Sequence, residues 1–182
     1  MRIVAGAWRG RLLAAPAGAA TRPTADRVRQ ALFDMLLHAH WGGRDLLEGA
    51  QVLDAFAGTG ALGLEALSRG AATATFIERD RAALAALRAN IAACWAQTRC
   101  TVLPADALRP PPGAACRIVF LDPPYAQDAL PRAVAALRDG GWLADRALIV
   151  GELGRDEALP DLGNLLTERA HGAARVGVWR SG

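Results

Sequence analysis

The sequence predicts an α/β fold built on a mostly parallel sheet, and three observations carry that expectation. Short apolar runs recur through residues 51–151, separated by alanine- and leucine-rich segments of helical character. Strands apolar on both faces and joined by helices belong to a buried parallel sheet. A glycine turn, Gly58-Thr59-Gly60-Ala61-Leu62-Gly63, links the first run to the first of these helices. Four acids, Asp54, Glu78, Asp106 and Asp122, fall at or just past the ends of successive runs. That edge is where open α/β sheets bind ligands.

Taken in order, residues 2–14 hold two short apolar runs around Gly6 and Gly10, which predict a small hairpin with arginines at its turn. Pro16-Ala17-Gly18 opens a loop. Thr24 is placed to cap a helix reaching about residue 38, within which Val28, Leu32 and Leu36 form one apolar stripe. Gly42-Gly43 ends this region. Strands follow at 51–55, 73–78, 101–103, 117–121 and 147–151, with helices at 61–69, 80–95 and 128–138. The tail differs: 164–168 and 174–179, with His171-Gly172 between them, read as an antiparallel hairpin closing the sheet edge. The organisation is one domain, 1–182, with an N-terminal extension at 1–45 and a core at 51–182.

A chain of 182 residues, 52% hydrophobic and 21% charged, buries a core without metal or disulfide. No apolar run reaches the ~18 residues of a membrane span. The N-terminus lacks the apolar core of a signal peptide, so the expected compartment is cytoplasmic. Cys94, Cys100 and Cys116 show no metal spacing and read as small buried hydrophobes; His38, His40 and His171 read as surface or packing residues. No metal is expected. All 21 basic residues are arginine. Six of them, Arg2, Arg9, Arg11, Arg22, Arg27 and Arg29, lie in residues 1–30 against one acid, Asp26, a local net charge of +5. Such a block suits a phosphate-binding arm or a solvated face, and charge alone leaves both open.

Asp54-Ala-Phe56-Ala-Gly58-Thr-Gly60 follows a strand and precedes a helix, with Glu78 twenty residues past Gly58. That spacing also fits a dinucleotide fingerprint. Asp54 tips the balance, because a carboxylate beside the turn repels a pyrophosphate. S-adenosylmethionine carries no phosphate, only an ammonium and a sulfonium, and suits an acid there. The glycines let backbone approach the ligand closely. Glu78 can accept from both ribose hydroxyls. Asp106 can accept from an adenine amino group while the backbone N–H beside it, at Ala107, donates to a ring nitrogen.

Leu121-Asp122-Pro123-Pro124-Tyr125 follows the fourth strand. Two prolines fix an extended backbone and remove donors, leaving the Asp122 carboxylate and the Pro123 carbonyl as acceptors. Accepting both hydrogens of an exocyclic amine draws its nitrogen toward tetrahedral geometry and frees its lone pair for attack on an electrophilic methyl. Tyr125 offers a flat face for a flipped base. The expected reaction is transfer of a methyl group from S-adenosylmethionine to a base amine.

Asp122-Pro-Pro-Tyr125 resembles the (Asn/Asp/Ser)-Pro-Pro-(Tyr/Phe) motif of amino-methyltransferases. Nearly the whole chain resembles the bacterial RsmD family of 16S rRNA (guanine-N2) methyltransferases. The resemblance rests on Arg2-Ile-Val-Ala-Gly-Ala-Trp-Arg-Gly-Arg-Leu12, Arg22-Pro-Thr-Ala-Asp-Arg-Val-Arg29, the stretch from Asp54 to Gly70, Asp122 to Tyr125, and Gly141-Trp-Leu-Ala144. It implies a Rossmann-like class I methyltransferase with a seven-stranded sheet and a reversed final strand. It implies cofactor contacts at Asp54, Gly58, Glu78 and Asp106, catalysis at Asp122 to Tyr125, and an N-terminal hairpin that meets small-subunit RNA in an assembled 30S particle. The expected protein is a monomer. Relatives often have Phe at position 125; both rings stack. Arg22 is a candidate for the cofactor carboxylate. Trp8 could stack on a base, although packing is its commoner role.

Other readings share parts of this chemistry. A DNA adenine-N6 enzyme usually needs a recognition domain for which 182 residues leave no room. A protein glutamine-amide enzyme does not call for the basic arm. A cytosine-C5 enzyme needs a nucleophilic Cys after Pro, and no such pair occurs. A nicotinamide oxidoreductase and a non-catalytic RNA-binding assembly factor complete the alternatives.

Overall fold

The computed structural model describes residues 1–16, 23–123, 128–171 and 174–182. The strands are β1 Gln51–Ala55, β2 Thr73–Glu78, β3 Cys100–Pro104, β4 Cys116–Leu121, β5 Leu143–Gly154, β6 Asn164–His171 and β7 Ala174–Arg180. They form one seven-stranded sheet in the order β3-β2-β1-β4-β5-β7-β6. The first five are mutually parallel, and β7 runs antiparallel to both β5 and β6. The expected sheet with its reversed final strand is present. β5 extends beyond the apolar core at 147–151: Asp145 and Arg146 break the hydrophobic pattern, and a register shift between Cys116 and Ile118 accommodates them.

Two-residue alternation divides the core. Val52, Phe76, Ile118, Phe120, Leu148 and Val150 face one side, where α1 Pro23–His38, α2 Ala61–Ser68 and α3 Arg81–Ala93 pack. Leu53, Ile77, Val119, Leu121 and Ile149 face the other, covered by Leu130, Val134 and Leu137 of α4 Ala129–Asp139. On α1, Leu32 and Leu36 are buried, Val28 half-buried, and Phe33 lies 5.5 Å from the Phe120 ring. Pro23 opens α1, so Thr24 stands second in the helix and not before it as its cap. Proline is suited to that first position, where its missing N–H has no partner to lose. Cys94 and Cys116 are buried thiols and Cys100 is half-buried. Among the described residues no helix is long and apolar enough to cross a membrane.

The N-terminal segment reverses direction as expected, but only Arg2 and Leu12 pair as a β-bridge. Ile3, Gly10 and Leu13 N–H groups nevertheless donate across the turn to the Arg11, Ile3 and Met1 carbonyls, so the predicted hairpin is present, and other backbone donors of the arm reach α2. Val4 and Ala5 N–H donate to the Glu65 carboxylate at 2.8 and 3.0 Å. Ala7 N–H donates to the Ser68 carbonyl, and Trp8 N–H to the Ser68 hydroxyl. Glu65 is fully buried and also receives Arg29 Nε at 3.4 Å and Arg69 Nε at 2.8 Å. One carboxylate thus joins the arm, α1 and α2. Removing one member of a buried ionic cluster strands the others, at a cost of ~3–5 kcal/mol. Glu65→Ala is expected to lower unfolding free energy by about that amount in urea titrations; a loss under about 1 kcal/mol would contradict this role.

Candidate active site

The C-terminal ends of β1, β2, β4 and β5 bring acids together because parallel strands end in register. Ala55 pairs with Ile77 and Leu121, and Leu121 pairs with Gly151. Asp54, Glu78, Asp122 and Glu152 therefore cluster at one edge. Asp54 is 2% exposed, and its Oδ2 accepts the Gly63 N–H at 2.8 Å, tying β1 to the start of α2. Burial pushes the Asp54 carboxyl up to about 8; the Gly63 N–H opposes that rise, and the Asp122 and Glu78 charges add to it.

Glu78 shapes the glycine turn. Its Oε2 accepts the Gly58 N–H at 2.7 Å, and its Oε1 accepts from Arg79 N–H at 2.8 Å and Asp80 N–H at 2.7 Å. A carboxylate has about four acceptor sites, so capacity for a further donor remains. The three glycines divide their roles. A side chain at Gly58 would enter open space, whereas at Gly60 it would meet Leu87 at 2.3 Å and at Gly63 the Phe76 ring at 2.4 Å. Gly58 leaves its backbone accessible to a ligand; Gly60 and Gly63 let α2 lie close on the sheet. Phe56, which enters this turn, holds a left-handed φ of 65°. A bulky residue rarely adopts that conformation, and such strain clusters at functional sites.

Asp106 lies past β3. Its Oδ1 accepts the Leu108 N–H at 2.9 Å, closing a turn, and its Oδ2 pairs with Arg79 at 3.0 Å. Ala107 beside it is buried. Asp122 follows β4, with Pro123 half-buried next to it. Protein crowding pushes the Asp122 carboxyl up to about 7, and the Glu152 carboxylate on β5 adds to the rise. Solvent contact on the exposed side of Asp122 works against the first cause. Glu152 escaped the sequence reading, since it stands inside a strand and follows no motif. Pro124 and Tyr125 lie outside the described residues, as does Arg22.

The arginines of the arm separate into two groups. Arg2, Arg9 and Arg27 are exposed. Arg11 is half-buried; it donates to the Ala93 carbonyl and lies 4.2 Å over the Trp95 ring. Arg29 is 4% exposed, pairs with Asp26 at 3.0 Å and with Glu65, and donates to the Arg2 carbonyl. Its charge is neutralised inside the fold, so it braces the arm and presents nothing to a phosphate. Trp8 is half-buried against the core.

The edge as a whole is negative and rich in acceptors, with one stretch of open backbone. It suits a ligand that carries positive charge and hydroxyl or amino donors. Glu78 would set like charge against a pyrophosphate, and the buried Asp54 carboxyl offers it no counter-charge.

A family model described as conserved hypothetical protein 95 matches residues 1–179. Ribosomal RNA small subunit methyltransferase D of Escherichia coli (strain K12) is 45% identical over 161 residues, covering 88% of this chain and 78% of that protein. The Haemophilus influenzae protein of the same name is 35% identical over 193 residues, covering 100% of this chain and 94% of its own length. The solved structure of yhhF from E. coli superposes with a TM-score of 0.84 at 40% identity, over 100% of this chain and 97% of that one. The rRNA methyltransferase aviRa of Streptomyces viridochromogenes, at 17% identity and a TM-score of 0.65, shares the fold.

Asp54 makes stability depend on pH. An unfolded aspartate loses its proton near 3.8, whereas Asp54 keeps its proton to about 8. Between those values the folded chain holds the extra proton, so stability falls as pH rises through that window. Asp54→Asn removes the titration and leaves an oxygen able to accept from Gly63. Denaturant titrations from pH 4 to 8 should show the variant gaining on the parent as pH increases; parallel curves would contradict a neutral Asp54.

Proposed function

The chain belongs to the RsmD family, and on that premise we propose that it transfers a methyl group from S-adenosylmethionine to the exocyclic N2 of a guanine in 16S ribosomal RNA. The observation that carries this reading is the convergence of Asp54, Glu78 and Asp122 on one sheet edge beside the open backbone of Gly58. S-adenosylmethionine, when bound, supplies an electrophilic methyl on a sulfonium. The Glu78 carboxylate suits its ribose donors, and the Asp54 carboxyl, which a nearby cation would help to ionise, suits its positive charge. Phe56, Gly58 and Gly60 form the turn it lies against, and Asp106 with Ala107 borders the adenine side.

Asp122 and the Pro123 carbonyl hold the target amine. Both accept its hydrogens, which localises the nitrogen lone pair and stabilises the positive charge that develops there. Asp122 is the nearest acceptor for the proton the amine gives up. Tyr125 stacks the flipped base, and Pro124 belongs to the same catalytic motif. The substrate is small-subunit RNA in a 30S particle, met by residues 1–45 through Arg2, Arg9, Arg11, Arg22 and Arg27. The enzyme works as a cytoplasmic monomer.

Asp122→Ala is expected to lower turnover about 100-fold or more while donor affinity by calorimetry is kept. Turnover at the parental rate would overturn the assignment. The ionised carboxylate is the better acceptor, and its carboxyl titrates at about 7. The parent's kcat/KM should therefore climb about tenfold per pH unit below that point and level above it. Glu78→Ala should weaken donor binding by roughly 10- to 100-fold, and an unchanged calorimetric Kd would remove its ribose contact. The direct assay is incorporation of labelled methyl from S-adenosylmethionine into unmodified small subunits. Label in N2-methylguanine supports the reading; label in DNA or protein instead refutes the substrate.

A further inference from the structure

Three helices in this fold end with the same backbone arrangement, and one of them ends on the wrong kind of residue. After α2 and α4, the N–H groups of Gly70 and Ala71, and of Gly141 and Trp142, return to carbonyls of the last helical turn. Gly70 and Gly141 take the left-handed position, with φ of 115° and 76°. α3 closes identically: Trp95 N–H donates to Ala92 and Ala96 N–H to Ile91, both at 3.0 Å. Its left-handed residue, at φ 49°, is Trp95. Glycine is the usual residue there because a Cβ is disfavoured. Trp95 is nevertheless 73% exposed, so burial offers no compensation. A strained, exposed aromatic is a candidate for a functional contact.

The surroundings state what it would contact. The guanidinium of Arg11 lies 4.2 Å over the Trp95 ring, and that of Arg99 lies 4.9 Å over Trp8. Residues 81–105, like residues 1–25, contain no acid. These two stretches pack together through Arg11 on Ala93 and Ala14 on Asn90. Arg81 and Arg88, seven residues apart, lie along one face of α3 and are both exposed, and Trp95 follows two residues past the end of the helix. α3 starts just beyond Glu78 and ends at Ala93, two residues before Trp95, and 13 residues of helix span ~20 Å. The line therefore runs from the candidate active site to the opposite edge of the sheet. Cations tracking a backbone and an aromatic that stacks a base are the elements of single-stranded nucleic-acid binding.

We propose that the exposed face of α3, ending in the Trp95–Arg11 stack, is an RNA-docking track, with Trp95 stacking an unpaired base about one helix length from the methyl-transfer site. The proposal rests on the reading of the protein as an rRNA methyltransferase. It adds the surface that holds RNA away from the target base.

Trp95→Gly separates this from a structural role, because glycine suits the backbone and removes the ring. Binding would be measured with protein-free small-subunit rRNA and with purified small subunits, at several salt concentrations. Trp95→Gly is expected to keep or raise the melting temperature, to leave S-adenosylmethionine affinity unchanged, and to weaken RNA binding about tenfold. Trp95→Phe, which keeps a stacking face, should stay within about threefold of the parent and covers the case in which glycine disturbs the fold. Arg88→Ala should reduce the salt dependence by about one ion. Unchanged RNA affinity in Trp95→Gly overturns the track. Lost affinity for the particle with unchanged affinity for bare RNA overturns it in favour of a ribosomal protein. Methyl transfer by the parent is scored separately: RNA binding that depends on Trp95 without transfer refutes the proposed activity and leaves the track standing.

Discussion

The buried carboxylate of Glu65 is the constraint on which the N-terminal half depends. A charge with no solvent contact needs partners on every side, and Glu65 takes two backbone N–H groups from the arm and two guanidinium groups, one from α1 and one from α2. Each of those partners is useful elsewhere. Arg29 also closes on Asp26 and on the Arg2 carbonyl, and Arg69 lies over the Phe33 ring at 4.8 Å. α2 in turn begins at the glycine turn, held by Gly63 N–H on Asp54. The arm and the ligand-facing loop are therefore fastened to opposite ends of one eight-residue helix.

At the other end the fold concentrates acids where it could have avoided them. Asp54, Glu78, Asp122 and Glu152 approach because parallel strands finish level; burial first and neighbouring carboxylates second raise the Asp54 carboxyl, and at Asp122 solvent contact offsets part of the same rise. Glu78 accepts three backbone N–H groups at the same edge. The cost falls on the free protein, and a cationic, donor-rich ligand would offset it. Strongly shifted carboxyls in a recess are a mark of functional sites for this reason.

The sheet was legible because its physics is local. Two-residue alternation in Val52-Leu53 or Ile118-Val119-Phe120-Leu121 needs no knowledge of the partner strand to declare both faces buried. The glycine turn and Asp122-Pro123 were legible as short motifs whose residue types suit few backbones. What escaped depends on partners distant in sequence. Glu65 sits in an alanine- and leucine-rich helix and reads as a solvated acid until the arm lies against it. Arg29 reads as one of six equivalent arginines, and only the fold shows that it is buried. The arm reads as a hairpin and is one, but nothing in its own sequence shows that the donors left over from its turn are taken by α2. Trp95 reads as one more apolar residue in an alanine-rich stretch; its left-handed backbone has no signature in composition.

The docking of the arm has a further consequence for the order in which the chain comes together. Its side-chain-mediated hydrogen bonds to α2 and α3 bridge 60 to 76 residues, from Val4, Ala5, Trp8 and Ala14 to Glu65, Ser68 and Asn90. This segment thus waits for the third helix before it can settle, and closing so long a loop is entropically expensive. Until then its arginines remain uncompensated and solvated, and Glu65 has no reason to leave water. Residues 1–16 are therefore not anchored until α2 and α3 exist, and a chain that stalls after β1 would carry a basic segment without the Glu65, Ser68 and Asn90 partners that hold it.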